Sequence, residues 1–252
     1  MRIRFWACAA GCIVLATSLM AQQKKLTKKE RDAFMAIQQA TTPDDRIAAV
    51  DKFVTSFADS DLRSVALNIA AESAQRKGNM PQAISYAQSA LDIDAKDYDA
   101  MLLMSGELAR ATHENDLDKD EKLARAEKLA NDAIAAIGPA QKPFWTGVSD
   151  DEYKNMKKDS VAQAHEDLGM IALDRKKFAV AITEFKTAAD GASQPSPATL
   201  VRLAGAYDQA GQQDDGIAIL DKVLATPNLN PVIKQFATAE RARAVAAKSA
   251  KK

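Results

Sequence analysis

The spacing of small residues between Val161 and Asp190 constrains this chain more than any other feature. Leu168-Gly169 and Ala172 come first, and after a turn Ala181, Phe185 and Ala188 follow at four- and three-residue intervals. Residues three or four apart share one helix face, so the segment reads as two short amphipathic helices joined at a tight turn. Small side chains at the contact let the two backbones approach closely. The order returns elsewhere: Leu67, Ala70, Ala71 and Ala74 precede Gly78-Asn79, and Ala83, Tyr86, Ala87 and Ala90 follow. Leu200, Leu203, Ala204 and Tyr207 precede Gly211, with Ile217, Leu220, Val223 and Leu224 after it. The glycines at the last two turns, Gly78 and Gly211, suit backbone with φ > 0. Alanine is abundant, aromatics make up 6%, and no stretch alternates like a strand. The chain is therefore expected to be all-α, each helix pair packing on its neighbours.

Leu168-Gly169, the packing residue Ala172 and then Ala-x-x-x-Phe-x-x-Ala resemble the tetratricopeptide repeat (TPR), a helix pair of about 34 residues. Two units match well, one is interrupted, and the first and last are weaker. The resemblance implies a right-handed superhelical solenoid of antiparallel helix pairs. It also implies a concave groove, lined mainly by the first helix of each pair, that binds a peptide or protein segment. Carried onto this chain, the outward-looking groove positions are Val65, Asn68, Glu72, Arg76, Asp99, Leu102 and Arg110. Gln163, Glu166, Met170, Asp174, Val201 and Asp208 continue the row. The Lys-and-Asn pattern by which some family members clamp a terminal carboxylate is absent. Gly216 stands where the family usually has alanine, which costs about 1 kcal/mol of helix propensity.

Taken in order, residues 1–21 read as a secretory signal. Arg2 and Arg4 precede an apolar run from Phe5 to Met20, short for a membrane span of about 20 residues. Cleavage after Ser18 and cleavage after Ala21 both stay open. Cys8 and Cys12 lie inside this segment, so the mature chain has no cysteine for a disulfide. Ala9-Ala10-Gly11-Cys12 resembles a lipoprotein box, but the apolar run follows the cysteine, so no lipid anchor is expected. The expected location is the periplasm or the exterior, with no stable membrane span in the mature chain.

Residues 22–60 form N-terminal helices and a degenerate repeat, opened by the capping box Thr27-x-x-Glu30 and restarted at Thr42-Pro43. Residues 61–137 hold two repeats, the second starting at Tyr98 and lengthened at its turn by the polar stretch His113 to Lys122. Residues 138–160 are a connector and helix start, with Phe144-Trp145 as a possible exposed anchor and Ser149-x-x-Glu152 as a second capping box. Residues 161–230 hold two repeats. In 231–252, Pro231 opens a capping helix whose Val232, Phe236 and Val245 face is expected to cover the last repeat before a basic tail.

Function classes narrow from here. Thirty-four basic residues balance 34 acidic ones, which argues against nucleic acid as partner. The two histidines, His113 and His165, stand beside no nucleophile motif, and no Gly-rich phosphate loop follows a strand. No catalytic residue and no cofactor is expected. Asp116, Asp118, Asp120 and Glu127 copy the carboxylate spacing of an EF-hand loop, but Glu121 occupies the position where the sharp turn needs glycine. The leading expectation is a non-enzymatic interaction scaffold in the cell envelope. The alternatives are a small-molecule or Ca²⁺-responsive module using the acidic insertion, and an accessory subunit of an envelope enzyme complex.

Overall fold

A computed structural model describes residues 26–143 and 147–250. The signal segment with both cysteines, and Phe144 and Trp145, lie outside the described residues. Eleven helices run in chain order among those residues: α1 Lys28–Gln39, α2 Pro43–Ser56, α3 Arg63–Arg76, α4 Met80–Ile93, α5 Tyr98–Ala111 and α6 Lys119–Ile137. Then come α7 Asp150–Asp174, α8 Phe178–Gly191, α9 Pro197–Gln209, α10 Gln213–Leu224 and α11 Pro231–Ala250. None is long and apolar enough to cross a membrane.

Helix starts follow local chemistry. Thr27 accepts from the Glu30 N–H while Glu30 returns a bond to the Thr27 N–H, and Ser149 and Glu152 do the same for α7. Thr42 caps α2, with Pro43 in the first turn. Asp97, through its side chain, caps α5.

Three turns between paired helices share one geometry. Gly78, Lys176 and Gly211 all sit at positive φ, at 73°, 58° and 79°. In each, the next residue's N–H reaches a carbonyl five back: Asn79 to Ala74, Lys177 to Ala172, Gln212 to Tyr207, at 2.8–2.9 Å. Glycine is thus replaced by lysine at the turn of the best-matching unit.

Pairs α3–α4, α5–α6, α7–α8 and α9–α10 pack antiparallel, and each second helix meets the first helix of the next pair. The first helices also touch one another directly, α3 with α5 and α5 with α7, forming an inner row. The contacts between helices are built on alanine: Ala70, Ala74, Ala83, Ala87, Ala130 and Ala181, among others, are fully buried. Where closer approach is needed there is glycine. A Cβ on Gly169 would lie 2.7 Å from the Phe185 ring, and one on Gly216 would lie 2.9 Å from the Ala204 carbonyl. The propensity lost at Gly216 is therefore the condition for α10 to seat on α9.

Two expectations need correction. The insertion at His113 to Lys122 is shorter than its polarity suggests, because α6 already begins at Lys119. The capping helix α11 packs on α9 and α10 as expected, but through Ile233, Ala237 and Ala244. Val232 and Phe236 face solvent, Phe236 being 64% exposed, and Val245 is exposed too. Small residues win the contact because they allow the closer approach.

Candidate partner-binding groove

The inner row α3, α5, α7 and α9 carries a floor of polar side chains that bond from one helix pair to the next. Asn68 on α3, 8% exposed, donates its Nδ2 to both carboxylate oxygens of Asp97 at 2.9 Å. Two turns on, Gln75 donates to Glu107 at 2.6 Å. Glu107 is 1% exposed, and Arg110 neutralises it at 2.7 Å. A carboxylate this deep is tolerable only when it is paired and hydrogen-bonded. Arg110 passes over Gly106, where a Cβ would meet its Nη2 at 2.8 Å and Asp167 Oδ1 at 3.1 Å. Gly106 makes room for both groups. Further along, Glu166 on α7 accepts from Arg202 of α9 at 2.5 Å and from the Thr199 hydroxyl. Asp208 accepts from Arg243 of α11 at 3.0 Å.

Burial sets the charge state of this floor. Asp167 is 2% exposed and one of its oxygens has no partner. Desolvation pushes its carboxyl up to about 8 against the pull of Arg110, so at neutral pH it is mostly protonated. Asp99 touches solvent inside the concavity, yet desolvation by the surrounding walls, then Asp97 and Glu72, push it up to about 7. Burial also raises the neighbouring Tyr98 hydroxyl, helped by Asp99 and by a hydrogen bond with Tyr153.

Hollows open along this face. One of about 270 Å³ lies among Asn68, Glu72, Gln75, Asp99, Leu102 and Gln163. A larger one, about 750 Å³, shares Asn68 and Asp99 but runs off this face past Asp94 and Lys96 of the α4–α5 turn to Asp132 of α6, Pro139 and Tyr153. A third, about 300 Å³, lies between α7 and α9 at Gln163, Glu166, Ser196 and Thr199.

The residues expected along the groove fall into three groups. Glu72 and Arg76 pair on the surface at 3.2 Å, and Gln163 and Asp99 are open to solvent. Val65, Met170 and Val201 are half-buried against the apolar clusters. Arg110 and Glu166 reach the groove but are committed to neighbouring helices. Asn68, Leu102 and Asp208 are buried rather than open: Asn68 and Leu102 lie at the bottom of the small hollow, where α3 packs on α5 and α5 on α7, and Asp208 is covered by Arg243 of α11. Asp174 lies instead beside Lys119, Glu114 and His113 near the α5–α6 loop.

The acidic insertion does not assemble an EF-hand loop. Lys122 sits between Asp116 and Asp118 at 3.1 and 2.8 Å, Asp120 is in the first turn of α6, and Glu127 pairs with Arg175 at 2.6 Å. Helix α6 starts too early for the segment to wrap an ion. Among the described residues no three His, Cys, Asp or Glu side chains gather as a metal-holding group. His165 is half-buried, its Nδ1 2.7 Å from Glu184 of the paired helix.

Gln75, Glu107, Asp167, Thr199 and Arg202 were not visible as floor residues in the sequence. Their only signal is charge or polarity set between small packing residues, as in Ser105-Gly106-Glu107 and Asp167-Leu168-Gly169.

No protein-family model and no curated protein matches the sequence. Among solved structures, a thermophilic TPR protein of Thermus thermophilus superposes with a TM-score of 0.58 at 14% identity, over 84% of this chain and 98% of that one. The fold is that of a TPR protein. A TPR protein of Parabacteroides merdae is also similar, with a TM-score of 0.39 at 13% identity, over 88% of this chain and 90% of that one. In the TPR fold seen here, the inner row α3, α5, α7 and α9 is made of the first helices of successive pairs.

Proposed function

We propose that the protein is a non-enzymatic scaffold that holds an extended peptide or protein segment in the concave face of its helical array. The observation that carries this reading is the run of hollows along α3, α5, α7 and α9, open to solvent and edged by Glu72, Arg76, Asp99 and Gln163. A floor bonded from pair to pair is rigid, so a segment laid on it does not have to order the site as it binds. Export to the cell envelope belongs to the same proposal, and its support is Arg2, Arg4 and the apolar run 5–20. The absence of a Lys-and-Asn clamp favours an internal segment of the partner over a terminal carboxylate.

Selection of a random peptide library on the mature protein tests this reading. Selected peptides should bind the wild type and lose at least about tenfold in affinity for a Gln163→Arg, Arg76→Glu variant. These positions are exposed, so the fold should persist, as circular dichroism would check. Peptides that bind the variant unchanged would move the interface off the concave face.

A further inference from the structure

We propose that Glu107, Arg110 and Asp167 form a proton-controlled latch that fastens α7 to α5 and so sets the shape of the concave face. The inference rests on the scaffold reading above and adds its regulation.

The latch follows from a count of buried charges. Glu107 and Asp167 are 1% and 2% exposed, and the guanidinium of Arg110 is the cation that serves both. Arg110 bonds Glu107 Oε1 through Nε at 3.2 Å and through Nη2 at 2.7 Å. Its charge reaches Asp167 through space, across the gap that Gly106 leaves open. Two buried carboxylates that share one cation leave a negative charge unbalanced unless one of them keeps its proton. Glu107 has Gln75 and Arg110 as donors, whereas Asp167 has a buried oxygen with no partner, so the proton stays on Asp167.

The neighbouring groups do not replace it. Arg202 of α9 is bonded to Glu166, whose own charge opposes ionisation of Asp167. Ser105 of α5 is neutral, and its hydroxyl donates to the Ala126 carbonyl. The charges of α6 and α8 that pair with α7 do so at other turns, Glu127 with Arg175 and Glu184 with His165.

With the proton in place the cluster is neutral and α5 and α7 close on each other. Its loss, as pH rises to about 8, leaves a net negative charge in the seam, so water has to enter and the joint loosens. The Arg110 side chain is 37% exposed where the cluster meets the groove, and Gln75 carries the bonding on to α3. A change in the seam is therefore felt along the inner row.

The test is read first without a ligand. NMR resonances of the Asp167 carboxyl ¹³C and the Arg110 Nε–H in the mature protein should move together in one step near pH 8. Amide exchange at residues 104–110 and 164–170, corrected for its intrinsic pH dependence, should quicken at least about tenfold between pH 6 and pH 9. In Asp167→Asn, which keeps the neutral shape, that response should vanish, while Asp190→Asn on α8 should respond as the wild type does. If Asp167→Asn does not fold, the carboxyl titration decides alone. A carboxyl with no step between pH 5 and pH 9 would overturn the latch. A response that survives in Asp167→Asn would overturn it too, and would assign the titration to another group such as His165. Peptides selected on the concave face should bind about fivefold more weakly at pH 9 than at pH 6, and equally at both in Asp167→Asn. Peptide binding without pH dependence, beside an intact exchange response, would overturn the hold of the latch on the groove. Peptides that bind off the concave face would remove the scaffold reading and leave the exchange result to decide the latch.

Discussion

A single hydrogen in place of a methyl sets how closely α7 and α8 meet. The Phe185 ring, fully buried, lies over Gly169 with ring atoms 2.7–2.9 Å from where a Cβ would stand. Gly169→Ala gains about 1 kcal/mol of helix propensity but forces the ring aside, an overpacking that costs about 1–3 kcal/mol. The net result should be a loss of about 1 kcal/mol in urea unfolding, removed when Phe185→Leu is added. A stabilised Gly169→Ala protein would show that the ring moves freely. Asp167 gives a second residue-scale prediction. Its folded carboxyl titrates at about 8, above the unfolded value near 4, so the folded state binds the proton more tightly. This contribution to stability is fully present below about pH 4 and is lost as pH rises to about 8. Asp167→Asn should therefore have a melting temperature that gains on the wild type between pH 5 and pH 8. A constant difference would mean that Asp167 stays ionised throughout.

At the scale of elements, the turn at Lys176 departs most from its own repeat. Lysine at φ 58° occupies a conformation that Gly78 and Gly211 adopt freely, at a cost of about 1 kcal/mol. Its exposed pair with Glu114 at 2.8 Å returns only a part of that. Lys176→Gly should stabilise the protein by about 0.5 kcal/mol, read as a higher urea midpoint at unchanged slope; a lower midpoint would mean the pair outweighs the strain. Element starts were legible where the deciding contacts are local. Thr27 with Glu30, and Ser149 with Glu152, close their capping boxes within three residues, and Thr42-Pro43 opens α2 as expected. Elements whose placement depends on a distant surface were not legible. Both Phe236 and Ala237 fit a helix face in the sequence, and only the space above α9 and α10 decides that alanine turns inward. The start of α6 at Lys119 was hidden for a related reason. Asp116, Asp118 and Lys122 look like loop residues until the helix places Lys122 between the two carboxylates.

Across the whole molecule, the apolar seams and the polar floor carry different information. The seams follow a local rule, small residues at three- and four-residue spacing, and this made the helical array legible from the chain alone. The floor joins residues far apart in sequence: Gln75 with Glu107, Glu166 with Arg202 and Asp208 with Arg243. No spacing within one helix reveals such pairs, so Asn68, Leu102 and Asp208 look like open positions in the sequence although each is buried. What stays open to solvent on the concave face is a short set, Glu72, Arg76, Asp99 and Gln163, and the proposed segment would have to use it. Hydrogen exchange of the mature protein with and without a library-selected peptide tests this most directly. Added protection should fall on α3, α5, α7 and α9, centred on residues 68–76, 97–103 and 159–166. Protection confined to α4, α6 and α8 would contradict the account and place the binding surface on the convex side.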